Sequence, residues 1–565
     1  MLQDLRVQFS GVELAPGVLP DEQGIVNVTV TNLGPNSLVD GSLNLFASTD
    51  LELDLDNLNQ GGDFLPGTNI QVLEGTDELL GTLNGINLAP NEARSFTINF
   101  ATEEFRNPSV VSSGAYNLIA QIDPSNAVAE IDETNNQAVQ FVSVAGTDAI
   151  LDWNSVFLNA VQTQGKLDAI NGVSLTDSTI PGVAPPIEAR HAAVLSIAQY
   201  EAIQGINSGS YDYLGVGISV PLGASAEAAA VGAGYQVLRT LFPEQASTFD
   251  LQVNYSLAEI QDDPAAEQIG FNFGVTVAEQ VLASRADDGS DVAQVPYESV
   301  SAPGYYSEIH ENGEVSALLP EFGNVTPFAL DDVANFRPAG PPEYGSEQFI
   351  QETEEVRLFG GLENTENTQL LRTPDQTEIA QFWAYDRQDT FRPPGQWIGI
   401  AQEIALDQGN TLEENAQLFA QLNVALADAG IVAWDTKYTF EQQRPFRTIT
   451  HDELTGVTFD PEWEPFLDTP PFPDYISGHS TFGGAAAAVL EDFFGEDITF
   501  EIASQELPGV TRTFTGSGDL SSFDQAALEN ANSRLYGGVH IASANFDGLT
   551  TGQLVGEYVA DNFFI

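Results

Sequence analysis

Three cationic side chains, two histidines and a glycine-flanked serine lie between residues 437 and 540 of this 565-residue chain. Guanidinium and ammonium groups pair with the oxygens of an anion, and imidazole can ligate a metal or move a proton near neutral pH. Such a set is suited to holding a small tetrahedral oxyanion such as phosphate or vanadate. Its members are Lys437, Arg444, Ser477, Gly478, His479, Arg534 and His540.

The spacing of Lys437 and Arg444 corresponds to two helical turns, which predicts that both side chains leave one face of a single helix. An isolated Lys/Arg pair at this spacing usually lies on a solvent-exposed face of the helix. Here, however, Trp434 and Phe440 share the segment, and cations beside buried aromatic rings need an anionic partner. Apolar periodicity predicts a helix from 412 to 443, and Pro445 marks its expected end.

Two further elements must bring the remaining residues to the same place. Ser477-Gly478-His479 precedes an alanine-rich helix, whose free first-turn N–H groups would form an anion pocket. Arg534 and His540 would diverge by roughly 240° on one continuous helix. Gly537 and Gly538 between them predict a break that turns both inward. The other histidines, His191, His310 and His451, are interpreted as structural.

The charge balance excludes one class of partner. The chain has 17 Lys+Arg against 82 Asp+Glu, a formal net charge of −65. Binding of nucleic acid depends on cations that neutralise phosphates, so no nucleic-acid partner is expected. A surface this acidic suits salty surroundings or the outside of a cell. We therefore expect an extracellular or cell-envelope location, by an export route that the sequence does not reveal.

Cysteine is absent, and Met1 is the single methionine. This excludes disulfides, zinc–thiolate sites and cysteine nucleophiles, and it suits an enzyme that handles oxidants, because thiols and thioethers oxidise first. The first residues show no charged segment followed by an apolar one, so no cleavable signal peptide is expected in this chain. No apolar run approaches about 18 residues, so no transmembrane segment is expected.

The first quarter of the chain predicts an antiparallel, Ig-like β-sandwich. Five segments alternate apolar and polar residues, with turn residues between them: 4–9, 25–30, 95–100, 117–122 and 139–144. Phrases at 30–34 and 131–136 resemble the bacterial CARDB domains, which implies such a domain over residues 1–146 and a contact with a cell surface or matrix. Its acidic loop could hold Ca²⁺, although a solvated loop is favoured; the carboxylates are Asp50, Glu52, Asp54 and Asp56.

Residues 150–565 predict a mainly α-helical domain built of helix bundles. Helical periodicity is clear at 187–206, 226–241 and 412–443. Residues 288–375 lack it, and we expect surface excursions there. Tyr305, Tyr306 and Phe322 in that stretch are candidates for a channel mouth or for simple packing.

Taken in order, Lys-x6-Arg-Pro, Ser-Gly-His and Ser-Arg-x5-His resemble the three-part signature of the vanadium haloperoxidase and PAP2 acid phosphatase superfamily. The resemblance covers residues 150–565 and implies a vanadium chloroperoxidase-like fold. Trp434 and Phe472 resemble the halide-pocket aromatic pair of the vanadium chloroperoxidases. Asp386, in Phe-Trp-Ala-Tyr-Asp, resembles an aspartate that supports a site arginine.

This resemblance implies vanadate as cofactor, with His540 as its covalent ligand and His479 as the acid–base group. The oxygens of vanadate would be held by Lys437, Arg444, Ser477, Gly478 and Arg534, and Lys437 would also polarise bound peroxide. Hydrogen peroxide would oxidise bromide, iodide or chloride to hypohalous acid, which halogenates small organic acceptors.

The sequence departs from the family at two positions. Ile476 replaces the usual proline before Ser-Gly-His, and Ala544 replaces the acidic residue that often follows the last histidine by four. Asp547 is then the nearest candidate to orient His540.

Two alternative functions remain open. The same residues would serve an acid phosphatase of the PAP2 type, in which His540 forms a phosphohistidine and His479 protonates the leaving alkoxide. The N-terminal sandwich also suits a surface adhesion or scaffold protein with an inactive helical domain. Trp434, Phe472 and the absence of cysteine favour the haloperoxidase.

Overall fold

The structure is a computed structural model of the whole chain. It describes residues 5–13, 23–48, 77–101, 114–123, 128, 136–144, 148–170, 182–209, 213–214, 218–300, 302–496, 498–518 and 520–564. The chain divides into two compact units, residues 1–156 with 243–261 and residues 157–242 with 262–565. The domain limits of 1–146 and 150–565 stay predictions. The acidic loop proposed for Ca²⁺ lies outside the described residues.

The N-terminal strands form two antiparallel sheets, as predicted. One sheet has the order β1-β2-β5, and the other has the order β4-β3-β6-β7. Alternating apolar side chains, such as Val26, Val28 and Val30, fill the core that these strands share. The strands are β1 (Leu5–Glu13), β2 (Gln23–Asn32), β3 (Leu38–Ser48), β4 (Asp77–Leu88), β5 (Ala93–Ala101), β6 (Gly114–Ile122) and β7 (Gln137–Val144).

Strands β3 and β4 were missed by the sequence pattern. Their pairing shifts register between Leu38 and Gly41, between Gly41 and Leu43, and between Leu45 and Phe46. Each shift inserts extra residues into the ladder and interrupts the period of two on which the prediction depended. The alternation is therefore visible only when the two strands are considered as a pair.

The rest of the chain is mainly helical, as predicted. Its helices are α1 (Ala149–Ile170), α2 (Pro185–Asn207), α3 (Ala226–Leu241), α4 (Ala246–Glu259), α5 (Pro264–Ser284), α6 (Glu347–Phe359), α7 (Pro374–Phe382), α8 (Arg392–Gln408), α9 (Leu412–Phe440), α10 (Pro445–Thr450), α11 (Gly478–Phe494), α12 (Ser522–Tyr536) and α13 (Ala542–Asn562). Short hairpins pair β8 (Ile309–His310) with β9 (Gly313–Glu314) and β10 (Phe500–Ser504) with β11 (Leu507–Phe514).

Helix α9 is the core helix of the second unit and is buried along most of its length. A capping box at Thr411 and Glu414 fixes its start. By length and composition α9 could cross a membrane, with a mean hydropathy of 1.3 over its most apolar 18-residue window. However, 94% of that window is buried within the protein, as in the core helix of a globular fold.

Helices α11 and α13 pack backbone to backbone through glycines. A Cβ atom added at Gly484 would lie 2.2 Å from the Leu549 carbonyl oxygen, and one at Gly552 would lie 2.0 Å from that of Thr481. Any larger residue would push the helices apart. This close approach places the N-terminal end of α11, where Ser477-Gly478-His479 lies, next to the start of α13, just after His540.

The stretch from 288 to 375 is not merely a set of surface excursions, and that prediction was wrong. Helix α6 lies within it, and Tyr306 and Phe322 are fully buried, whereas Tyr305 is exposed. The first two therefore serve packing. Short turns and 3₁₀ segments fill the stretch, so its buried positions follow no single period that a sequence pattern would show.

Candidate oxyanion site

Lys437 lies in the last turn of α9 and is completely buried. Its Nζ donates to the carbonyl oxygens of Pro473, at 2.8 Å, and Asp474, at 3.2 Å. Burial and then the charge of Arg444 hold the pKa of Lys437 well below its usual value. A buried ammonium group beside another cation is stabilised by a nearby anion.

Arg444 does not share a helix with Lys437, which corrects the prediction from their spacing. Helix α9 ends at Phe440 with Glu441 in the left-handed region, and Arg444 is the N-cap of α10, which Pro445 begins. The turn still brings the guanidinium to the same place. Arg444 Nε donates to the Phe472 carbonyl oxygen at 2.7 Å, and Nη1 donates to that of Val539 at 2.7 Å.

Trp434 and Phe472, the predicted halide-pocket pair, lie side by side with ring centres 5.0 Å apart. Lys437 Nζ lies 4.7 Å from the centre of the Phe472 ring, and the Arg444 guanidinium carbon lies 5.0 Å from it. Trp434 Nε1 donates to the Leu318 carbonyl oxygen at 3.2 Å. The two rings thus form an apolar wall directly beside two of the cations.

Ser477 is the N-cap of α11, and its hydroxyl oxygen accepts from the Ser480 N–H. The N–H groups of Gly478 and His479 fall in the first turn, where an α-helix supplies no carbonyl partner. Ser477 N itself donates to the Ala544 carbonyl oxygen at 2.9 Å, which ties this helix end to α13. The positive end of the α11 dipole therefore lies at the site.

His479 is almost fully buried, and its Nε2 lies 2.9 Å from the Ala384 carbonyl oxygen. A carbonyl oxygen can only accept, so Nε2 carries the proton, and the neutral ring presents Nδ1 as a proton acceptor. Burial and then Arg534 lower the pKa of His479 to about 4. The side chain is therefore a neutral base above that pH.

Arg534, in the last turn of α12, is completely buried and pairs with Asp386 through Nη2 and Oδ2 at 2.5 Å. Burial alone would raise the pKa of Asp386, but Arg534 and then His479 outweigh it and hold that pKa below its usual value. The carboxylate is therefore ionised. This is the contact that the resemblance implied for Asp386.

His540 follows the predicted helix break, since α12 ends at Tyr536 and α13 begins at Ala542. Its Nε2 lies 3.1 Å from Arg444 Nη1, and its Nδ1 is hydrogen-bonded to Asp474. Burial, followed by the charges of Arg444 and Lys437, holds the pKa of His540 well below its usual value. Such a ring is neutral, which is the form that ligates a metal.

Asp547, the sequence-based candidate to orient His540, does not contact it, which corrects that prediction. Its Oδ2 instead accepts from the Tyr475 hydroxyl at 2.7 Å. Asp474 is the carboxylate at His540, and sequence reasoning missed it. The only available signal was an acidic residue in an otherwise apolar loop three residues before Ser477, and no spacing rule links position 474 to position 540.

The other histidines do not join the seven residues. His191 packs edge-on against Phe242, with ring centres 5.7 Å apart, and His451 bonds the Thr450 hydroxyl. His310 is close enough to the site to be affected by the charge of Arg444. Burial and then that charge lower the pKa of His310 to about 4. Its Nδ1 lies 3.1 Å from the Thr469 carbonyl oxygen.

Three guanidinium nitrogens at this site are buried and have no hydrogen-bond acceptor in the described part of the chain: Arg444 Nη2, Arg534 Nε and Arg534 Nη1. Unpaired buried donors are costly, so a site that leaves three of them open is built for an acceptor-rich ligand. Lys437, Arg444 and Arg534 also outnumber the two acidic residues, Asp386 and Asp474, and burial raises the pKa of Asp474 to about 7. These residues fit a compact oxyanion such as vanadate or phosphate.

The turn that carries His540 provides a prediction. Gly538 has a φ of +81°, and a Cβ there would lie 2.2 Å from the Gly360 carbonyl oxygen. We expect Gly538→Ala to destabilise the protein by several kcal/mol and to weaken oxyanion binding. The control is Gly409→Ala, which has a φ of +70° and nothing within 4 Å of its Cβ; it should cost only about 1 kcal/mol. Thermal denaturation and isothermal titration measure both effects, and equal losses would contradict the steric account.

Comparisons with known proteins agree with this architecture. Residues 417–564 match the family described as the VCPO second helical-bundle domain, and residues 3–140 match the CARDB family. The chain is 27% identical to the vanadium chloroperoxidase of Curvularia inaequalis over 522 residues, which cover 74% of this chain and 82% of that protein.

Two solved structures share the helical fold. A bacterial vanadium-dependent iodoperoxidase is 25% identical, with a TM-score of 0.62, over 73% of this chain and 96% of its own. A holo-type bacterial vanadium-dependent chloroperoxidase is 15% identical, with a TM-score of 0.50, over 70% of this chain and 97% of its own, which shows the fold alone. Residues 3–140 are thus similar to a CARDB domain, and the helical part of the chain is similar in sequence and fold to vanadium haloperoxidases.

Proposed function

We propose that this protein is a vanadate-dependent haloperoxidase that uses hydrogen peroxide to oxidise halide to hypohalous acid. In the overall reaction, halide, hydrogen peroxide and a proton give hypohalous acid and water. One observation carries the proposal. Three buried cations lie together beside the neutral His540 and the Trp434–Phe472 wall, and N–H groups of Arg444 and Arg534 there have no hydrogen-bond acceptor among the described residues. The relatives named as chloroperoxidase and iodoperoxidase support it.

The oxyanion would be held from three directions. Lys437, Arg444 and Arg534 neutralise its charge, while Ser477 and the Gly478 N–H donate hydrogen bonds from the end of α11. His540 would supply the covalent ligand through Nε2. When bound, vanadate supplies a Lewis acid that activates hydrogen peroxide for attack by halide without changing its own oxidation state.

His479 would move the proton in this reaction. Its Nδ1 is an acceptor because Nε2 donates to the Ala384 carbonyl oxygen, and its low pKa keeps the ring neutral near pH 7. A neutral imidazole can take a proton from hydrogen peroxide as a general base and return it to a leaving oxygen. Lys437 would polarise the bound peroxide.

Trp434 and Phe472 would form the wall of the halide site. Chloride, bromide and iodide are large, weakly hydrated anions, and an apolar wall next to Lys437 and Arg444 offers positive charge without competing hydrogen-bond acceptors. We expect bromide and iodide as substrates, with chloride the most demanding. Freely released hypohalous acid would then react with small organic acceptors.

A phosphatase is the second candidate, because the pairing of His540 with Asp474 suits a nucleophilic histidine as well as a metal ligand. A nucleophilic histidine needs one ring nitrogen bonded to an orienting acceptor and the other free to attack phosphorus. The same cations would hold phosphate, which matches vanadate in shape and charge. His479 would then protonate the leaving alkoxide, and this role requires its imidazolium form.

One pair of assays decides between the two functions. Metal-stripped protein is measured with and without orthovanadate for bromination of a phenolic dye by bromide and peroxide, and separately for hydrolysis of p-nitrophenyl phosphate. The haloperoxidase predicts bromination only with vanadate. Vanadate-inhibited hydrolysis without bromination would establish the phosphatase, and neither activity would leave the scaffold interpretation. An Arg534→Ala variant, assayed with the same orthovanadate, shows how much bromination is due to free vanadate in solution and not to the site.

A further inference from the structure

A histidine that ligates a metal normally donates its second ring N–H to a carboxylate or a carbonyl, which fixes its tautomer and orientation. The chain offers no such group at position 544, where alanine is buried. Asp547, one turn further along α13, is bonded to the Tyr475 hydroxyl. Neither position after His540 therefore supplies its orienting partner.

Asp474 supplies that partner from another part of the fold. It is completely buried in the loop before α11, and its Oδ1 is bonded to His540 Nδ1. Its own N–H donates to the Gln442 carbonyl oxygen at 2.9 Å, which fixes the backbone at this position. Asp474 Oδ1 also lies 4.0 Å from Arg444 Nη1.

The contacts of His540 determine which nitrogen carries the proton. Arg444 Nη1 lies 3.1 Å from His540 Nε2, and a guanidinium can only donate. The same Nη1 lies farther from His540 Nδ1, at 3.5 Å, so Nε2 is the acceptor of this contact. In the neutral ring the proton is then on Nδ1, where the Asp474 carboxylate accepts it.

We propose that Asp474 is the positioning residue of the oxyanion site: its carboxylate holds His540 as the Nδ1–H tautomer, so that the Nε2 lone pair faces the bound oxyanion. This deepens the proposed function and rests on it. The same residue also positions Lys437, whose Nζ donates to the Asp474 carbonyl oxygen at 3.2 Å. One loop position thus sets both the ligand and one of the cations.

The test has one readout that needs no vanadate and one that does. Nitrogen-15 NMR of histidine-labelled protein without ligand reports the tautomer of His540, which is assigned by loss of its signals in His540→Ala. Isothermal titration with orthovanadate gives the Kd. Both are measured for the wild type, Asp474→Ala and Asp474→Asn. Asp547→Asn is the matched control, because it alters the rival carboxylate, and thermal melting verifies each fold.

We expect the wild type to show the Nδ1–H tautomer, and Asp474→Ala to lose it and to raise the vanadate Kd by about 10- to 100-fold. Asp474→Asn keeps an acceptor oxygen and should retain the tautomer with a smaller loss, whereas Asp547→Asn should match the wild type in both readouts.

A wild-type ring protonated on Nε2 would overturn the proposal, even if Asp474→Ala fails to fold. So would an Asp547→Asn variant that loses the tautomer while Asp474→Asn keeps wild-type affinity. A wild type with the expected tautomer and no affinity for vanadate would instead refute the proposed function and leave the orientation of His540 established.

Discussion

His540→Ala is expected to abolish retention of vanadate and, with it, all peroxide-dependent halide oxidation. The change would remove the nitrogen that we propose as the covalent ligand of vanadate, while Lys437, Arg444 and Arg534 remain. These cations can attract vanadate only electrostatically. Loss of residues that merely orient a ligand costs 10- to 100-fold in metal affinity, so loss of the ligand itself should cost more than about 100-fold.

The measurement is the vanadium content of the protein after reconstitution and gel filtration, together with the Kd from isothermal titration. His451→Ala is the control, because that histidine bonds the neighbouring Thr450 hydroxyl and does not contact the site. It should retain vanadium as the wild type does. If His540→Ala kept stoichiometric vanadium and full activity, His540 could not be the ligand.

His479→Ala is expected to separate binding from turnover. The protein should retain most of its affinity for vanadate, because the three cations and His540 are untouched, but kcat should fall by about 10²- to 10⁴-fold, the usual contribution of a positioned acid–base group. His540→Ala, in contrast, should lose both. The two variants therefore assign different roles to the two histidines.

The pH profile provides the second readout for His479. Burial and Arg534 lower the pKa of the free side chain to about 4, so the neutral base is present above that value and is lost as the pH falls through it. The kcat/KM of the wild type should decline on the acidic side, and the residual activity of His479→Ala should lack that limb. An unchanged acidic limb, or a kcat within twofold of the wild type, would remove His479 from the mechanism.

The proposed site would allow even so acidic a protein to bind anions. With a net charge of −65, the surface repels halide and vanadate at long range. Charge is screened within about 8–10 Å at physiological ionic strength, whereas three buried cations act at contact distance in a medium of lower polarity. We infer that binding depends on this local cluster and not on the field of the whole protein.

Much of the architecture could be predicted from local patterns. Helix α3 begins and ends where the periodicity placed it, and α2 does so to within two residues at each end. Glycines at 537 and 538 predicted the break before His540 correctly. These features depend on interactions between near neighbours in the chain, which is why the sequence shows them.

The predictions from the sequence failed where the position of a residue depends on contacts with distant parts of the chain. Lys437 and Arg444 were predicted on one helix because their spacing fits two turns, yet α9 ends at Phe440, and a turn brings the guanidinium back. The pairing of β3 with β4 escaped notice because register shifts hide their alternation. Helix α6 was missed within a stretch dominated by turns.

The sequence by itself determined which residues are suited to an oxyanion, because three cations, two histidines and a helix start in that order favour such a ligand over others. Only the tertiary structure decided how the site is completed. Asp474 and His540 are 66 residues apart in the chain, and the close packing of α11 on α13 through glycines makes them neighbours. A pairing between residues so far apart in the chain produces no periodic pattern in the sequence, because the packing of the helices determines which residues meet.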